Sequence, residues 1–493
     1  MNRRQMLVTT ATLTSTSIWG NWKQNLAYQY LLAKVEGFAT HLPSNKYIAF
    51  DWGVSEIMPD NEGVKLSWNK LISGKNQFVS LRITSATDVR EVLVLEVKTA
   101  KTGQKIADWD LRFAALLQPF ELQIPQDAIR AIIEEGIILK MVKGTKPFWF
   151  FSKNNSEKTA PNAYLPHLLV HDKKMNKDAW KDRLLSLESL QTFGWQQGVV
   201  WDGILEMSKD SPKVKSVLKE QLEMYFAQNS LLYCNLNNVK TEGKIHTVES
   251  ILPFAILAQT NPTHPLLQKA IDFCEKHANA EGVIADGTGN NRMVKTEECY
   301  TVSYPLAVLA KTLNRPDLAL LSIKTLQSRI NILEKGNSIY QRGTEQGELL
   351  FENWGRGVAW YLLGIAKTLV YLPESEKKQE IKASFQKSVQ KVMAYQQANG
   401  LWNCFFHQPE TGVETSGTAG VAAALTYGYQ HGLLPKTAKI AAQKATEALV
   451  SYLTPDGYLT GTAQVNKGGD ALQKNGFRII SPYTLGFLAH IAP

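Results

Sequence analysis

Residues 352–369 read ENWGRGVAWYLLGIAKTL, a polar and aromatic opening that runs straight into an apolar stretch built on small residues. The same pattern returns at 195–208 (WQQGVVWDGILEMS), 246–259 (HTVESILPFAILAQ), 296–313 (TEECYTVSYPLAVLAKTL), 414–432 (ETSGTAGVAAALTYGYQHG) and 481–492 (SPYTLGFLAHIA). A helix that is apolar all round predicts neighbours on every side. Between these segments lie charged, amphipathic stretches with one solvated face, at 178–190, 211–228, 264–278, 315–333, 376–397 and 435–451. Six alternations predict a mainly α fold: an (α/α)6 barrel over residues 178–493, with the apolar helices as its inner ring. An open superhelix would leave those segments bare along a concave face, so closure is favoured. Gly203, Ala255, Ala307, Gly364, Ala422, Ala423 and Gly486 fall where inner neighbours must approach closely.

Outward from the barrel the texture changes. Residues 40–153 hold short β-branched and aromatic runs: YIAFDWGV, VKLSW, QFVSLRIT, EVLVLEVKTA, PFELQI, GIILKMV and PFWFFS. Their alternation and spacing predict a β-sandwich of about seven or eight strands. It is either a carbohydrate-binding module or a domain supporting one edge of the barrel's cleft. A polar linker is expected over 154–177. Residues 1–22 carry Arg3-Arg4 before a weakly apolar Thr/Ser/Ala stretch, as a twin-arginine export signal does, so a periplasmic location is expected.

The formal charge is +9, with 44% hydrophobic and 20% charged residues. A lysine surplus on an exported protein suits an acidic glycan. No dense basic run with interleaved aromatics points to nucleic acid. No apolar run reaches the roughly 18 residues of a membrane span, and no lipid anchor is indicated. The four cysteines are scattered and form no C-x-x-C pair. His246-x-x-Glu249 and His167-x-x-x-His171 are lone fragments, so neither a metal nor any other cofactor is expected. The sequence carries no statement of oligomeric state.

The six polar openings fall on one rim, where inner-helix N-termini bring unsatisfied N–H groups that suit an anionic ligand. Glu249 opens the second inner segment and Glu298 the third. Two carboxyls on neighbouring walls are the minimum for acid–base glycoside chemistry. Each could instead simply cap its helix, and Glu297 stands beside Glu298 as the competing assignment. Arg356 offers a planar fork for a carboxylate, and Trp354 and Trp360 offer faces for a sugar ring. Gln341, Arg342, Trp201, Ser416 and Tyr483 are further substrate-binding candidates, while Asp202, Glu414 and Thr418 also open inner segments.

WGRGVAWYLLGIA (354–366), NGLWNCFF (399–406) and ETSGTAGVAAALTYGYQHGLL (414–434) resemble the unsaturated uronyl hydrolases of glycoside hydrolase families 88 and 105. The resemblance covers about residues 190–493. It implies an exo-acting enzyme on acidic oligosaccharides that removes a terminal 4,5-unsaturated uronic acid by hydrating its vinyl ether. It also implies Glu298 as general acid/base and Glu249 as its assistant, at positions where the family carries aspartates. The family pattern W-x-R-G-N-G-W is departed from at Val358 and Ala359, and a common histidine position is held by Gln341. A saturated β-glucuronidase, a lyase or dehydratase acting on a uronic acid, and a non-catalytic glycan-binding protein stand as alternatives.

Overall fold

The computed structural model describes residues 28–37, 46–69, 78–153, 158–172, 176–226, 243–286, 292–344 and 346–491. The expected export signal lies outside the described residues.

The barrel is closed. Inner helices 1 to 6 are Trp195–Ser208, Leu252–Thr260, Tyr304–Leu313, Gly355–Tyr371, Thr415–Gln430 and Thr484–Ile491. Each packs on the next, and the sixth packs back on the first. Outer helices 1 to 6 are Ala179–Leu184, Pro212–Phe226, Leu266–His277, Pro316–Leu333, Glu376–Met393 and Lys436–Leu449. The first is shorter than the sequence predicted, because a 3-10 turn at Leu187–Ser189 replaces its second half.

The ring closes where two glycines meet. A Cβ on Gly203 would sit 2.5 Å from the Gly486 carbonyl oxygen, and one on Gly486 would sit 2.2 Å from that of Val199. Real side chains do not fit there, so helices 1 and 6 touch backbone to backbone. Inner helix 5 is buried from Thr415 to Leu425, as its all-round small and apolar composition requires. The outer helices bury one face only; outer helix 5 starts on Ser375, whose hydroxyl accepts the Lys378 N–H at 3.2 Å.

The N-terminal domain comprises a four-stranded and a five-stranded antiparallel sheet around one apolar core, with a two-stranded ribbon beside them. The first sheet runs Tyr28–Leu32, His167–His171, Phe78–Thr84, Pro119–Gln123, and the second Lys34–Glu36, Val64–Ser67, Ile137–Lys143, Val94–Thr99, Lys105–Asp110. The stretch read as a linker supplies the strand His167–His171, which joins Tyr28–Leu32 to Phe78–Thr84. Strands also begin upstream of residue 40. YIAFDWGV is mostly not a strand, since residues 49–51 form a 3-10 turn with Phe50 and Asp51 at φ 57°. Its aromatic residues dock on the barrel instead: Phe50 meets Tyr225 edge-on at 5.6 Å.

A buried polar knot joins the two domains. Asp456, in a loop before inner helix 6, accepts from Arg82 at 2.5 Å and from Tyr30 at 2.6 Å, both on the first sheet. Arg183 of outer helix 1 donates to the Asp456 carbonyl at 2.9 Å. Burial opposes charge on Asp456, but Arg82 and Arg183 prevail and hold its carboxyl well below the usual range. Among the described residues no helix is long and apolar enough to cross a membrane.

Candidate active site

Inner helices 1 to 4 begin on the same rim, and their starts open into one cleft with a cavity volume of about 220 Å³. Its inner end is aromatic. Trp360 is nearly buried, and Trp195 meets it edge-on at 5.2 Å and Tyr483 at 4.8 Å.

The acidic wall is built by helix starts 2 and 3. Glu249 sits in the 3-10 turn Val248–Ile251, its side chain 18% exposed, and accepts from Lys295 Nζ at 3.2 Å. Lys295 ends the strand Met293–Lys295 and also reaches Asp286. Burial works against its charge, but Glu249, Glu298 and Asp286 outweigh it and hold the ammonium protonated.

Glu297 lines the cleft as well. Gln341 Nε2 donates to both its oxygens, at 2.7 and 2.8 Å. Arg342 Nε donates to Gln341 Oε1 at 2.9 Å, which turns the amide nitrogen toward Glu297. Burial in the wall and the charge of Glu249 push the Glu297 carboxyl up to about 6, against the pull of Lys295 and Gln341. An acid poised there is protonated in part near neutrality.

Glu298 is not in the cleft. Its side chain is fully buried, pairs with Arg329 at 2.5 Å and accepts the Lys295 N–H at 2.9 Å. Successive residues at a helix start point about 100° apart, so Glu297 and Glu298 cannot share a face. The following turn, Cys299–Ser303, is a π-turn pressed against Gly364, where a Cβ would lie 2.3 Å from the Cys299 carbonyl carbon. The structure therefore brings Glu249 together with Glu297, and sets Glu298 behind them.

The other candidates divide in the same way. Gln341, Arg342, Trp354, Arg356 and Trp360 line the cleft. Arg356, however, spends its guanidinium on the chain: it donates to the carbonyls of Ala463 and Gln464 at 2.7 and 2.8 Å and to Tyr483 at 3.2 Å. It stacks 4.6 Å from the Trp354 ring and fixes the loop that closes one side of the cleft. Tyr483 stands behind it, buried. Ser416 lies outside the cleft and is held by Glu414, which caps inner helix 5 through the N–H groups of Ser416 and Gly417 at 3.0 and 2.6 Å. Trp201 is buried between inner helix 1 and outer helix 2, its Nε1 donating to Gln221 at 3.1 Å. Trp195, six residues earlier, takes the place expected of it. Six helical residues rotate a side chain by about 240°, and position in the helical period was the signal that could have separated the two. Lys295 was also missed; its place three residues before Glu298, in the polar run just ahead of an inner helix, was the available clue.

The model of Glycosyl Hydrolase Family 88 matches residues 170–489. This chain belongs to glycoside hydrolase family 88. It is thus a glycoside hydrolase of the uronyl hydrolase type. Solved structures share the barrel. A possible family 105 member from Salmonella enterica serovar Paratyphi A is 17% identical, with a TM-score of 0.55, covering 64% of this chain and 91% of that one. A family 105 glycoside hydrolase from C. acetobutylicum is 18% identical, with a TM-score of 0.55, covering 64% and 98%. A structure titled a polysaccharide lyase is 19% identical, with a TM-score of 0.51, covering 64% and 94%. No curated protein sequence matches this family 88 hydrolase.

Proposed function

We propose that the enzyme hydrates the 4,5 double bond of a terminal unsaturated uronic acid on an acidic oligosaccharide. The observation that carries this reading is Glu297: a carboxyl raised to about 6, facing the cleft beside Glu249, which is paired instead with Lys295. Two carboxyls held in different environments divide into acid and base. Glu297 delivers its proton to C4, and positive charge develops at C5 and the ring oxygen. Glu249 takes a proton from the water that adds at C5. The resulting hemiketal opens at its C5–O5 bond to a ketone at C5 and a hemiacetal at C1; the hemiacetal collapses to an aldehyde, breaking the C1–O bond and releasing the next sugar's hydroxyl. Arg342 and the helix N-termini receive the uronate carboxylate, and Trp195 and Trp360 border its ring. Arg356 acts one step back, by fixing the 463–464 backbone.

A second reading has one observation in its favour, the barrel shared with a protein titled a polysaccharide lyase. Elimination would use the same pair in reverse, with an ionised Glu297 removing a proton. One assay separates the two. Saturated and unsaturated uronyl disaccharides are incubated with enzyme while the absorbance of the conjugated double bond is followed. The hydratase reading requires loss of absorbance on the unsaturated substrate. Gain on the saturated one makes the enzyme a lyase, and free uronic acid without any change makes it a saturated glucuronidase. The proposed export follows from Arg3-Arg4 and is tested by fractionating cells that carry the chain with both arginines changed to lysine.

A further inference from the structure

The cleft is not built by the barrel alone. Asp88, Arg90 and the segment Phe113–Leu116 of the β-sandwich line it, opposite Glu249 and Glu297. The two sandwich loops are tied together by Val89 N–H to the Ala114 carbonyl at 2.8 Å and Phe113 N–H to the Glu91 carbonyl at 2.9 Å. Phe113 and Leu117 hold left-handed backbone, at φ 53° and 62°, a conformation that side-chain-bearing residues adopt at a cost. The loops are also locked to the barrel. Gln464 Nε2 donates to the Arg112 carbonyl and to Gln118 Oε1, both at 3.2 Å, while its own carbonyl accepts from Arg356. The family match begins at residue 170, so none of these sandwich residues belongs to it.

Charge is arranged along the cleft. The carboxyl pair and nearly buried Trp360 mark the inner end. At the outer end the side chain of Arg90 is 46% exposed, and its Nε donates to Asp88 at 3.0 Å. Lys46 also pairs with Asp88, and Lys467 lines the cleft beside them. Burial and the charge of Arg90 lower the Lys467 ammonium to about 8, with Asp88 and Glu249 opposing. Three cations thus gather round Asp88, the acid of the sandwich that lines this end. An exo-acting enzyme seats its terminal sugar at the inner end, which leaves the outer end to the next sugar.

We propose that the sandwich completes the substrate site, and that its Arg90, with Lys467 of the barrel, binds an anionic substituent on the sugar next to the terminal uronic acid. The group is a carboxylate or a sulfate, the anions that an arginine fork and a lysine both bind. This inference rests on the cleft being the uronyl site described above.

The test compares unsaturated uronyl disaccharides whose second sugar is neutral, sulfated or carboxylated. Wild type should favour one anionic form over the neutral form in kcat/KM. Arg90→Gln should shrink that preference about fivefold, and Arg90→Gln with Lys467→Gln more than tenfold, the scale of partly exposed ion pairs. Whichever anionic substrate carries the preference identifies the substituent. An equal loss on all three substrates, or no loss at all, overturns the inference. If Arg90→Gln fails a thermal melt, Lys467→Gln and the charge-conserving Arg90→Lys are read in its place, and Arg90→Lys must restore part of the preference. If wild type turns over none of the substrates, the hydratase reading fails. Calorimetric titration with saturated sulfated and unsulfated disaccharides then decides this one: selectivity that vanishes in Arg90→Gln upholds it, and absence of selectivity removes it.

Discussion

The barrel holds two carboxylate clusters that differ in how they are satisfied. At the rim, Glu297 meets a neutral amide on both oxygens and feels Glu249 nearby. Deeper along the axis, Asp202 is fully buried and accepts from Lys367 at 2.8 Å, Tyr304 at 3.1 Å, His490 at 3.2 Å and from Tyr300. Burial opposes the charge of Asp202, but Lys367 and His490 hold its carboxyl well below the ordinary range. A buried acid that has its cation is spent on structure. An acid for which burial and a like charge outweigh an amide and the pull of Lys295 keeps its proton available for chemistry. The two clusters touch through Tyr300, which stacks on Trp360 of the cleft at 5.9 Å.

Glu297→Gln tests this contrast hardest. It should lower kcat/KM about 1000-fold, within the span of general-acid catalysis, in an enzyme that still melts cooperatively. Asp202→Asn and Glu298→Gln should do the opposite. Each strands a buried cation, Lys367 or Arg329, and should cost about 3–5 kcal/mol of stability in denaturant melts. Activity in the remaining folded enzyme should fall far less than in Glu297→Gln; an equal fall in Glu298→Gln would restore Glu298 as the acid.

A smaller effect concerns pH and stability. The folded carboxyl of Glu297 is raised above its unfolded value, so its contribution is full below about 4.5 and is lost as pH rises through about 6. Glu297→Gln should therefore gain about 1 kcal/mol relative to wild type between pH 4.5 and 7.5, after discounting for water in the cleft. The finest test is Gln341→Leu. Removing a donor to the ionised form raises the Glu297 carboxyl further, so the alkaline limb of the kcat/KM profile should move up from near pH 6. A limb that stays in place would mean that Gln341 does not set the acid.

Much of the architecture was legible because burial writes itself into composition. A segment such as TSGTAGVAAAL has no face it could show to water, and inner helix 5 duly shows none. Gly203 and Gly486 likewise announced a contact that only backbones can make. The site was legible to within a residue or a turn. Glu298 and Glu297 are equivalent in type and adjacent in sequence, and only the π-turn and Arg329 separate their directions. Trp201 and Trp195 share a helix, and choosing between them requires its rotation. The strand His167–His171 was hidden by polar flanks, since its partners Tyr28–Leu32 and Phe78–Thr84 lie far off in sequence. No local pattern could have revealed that Arg90 reaches the cleft, because a loop's destination is decided by the docking of whole domains.

The knot at Asp456 reaches beyond packing. It ties Tyr30, near the start of the described chain, to a loop just ahead of the last inner helix, with Arg82 and Arg183 drawn in from between. Like the buckle of a belt, it fastens an early strand to a late loop across everything wound between them. Trimming the enzyme to its helical part would leave Asp456 without Arg82 and Tyr30 in a surface just stripped bare, so the sandwich is not a detachable module.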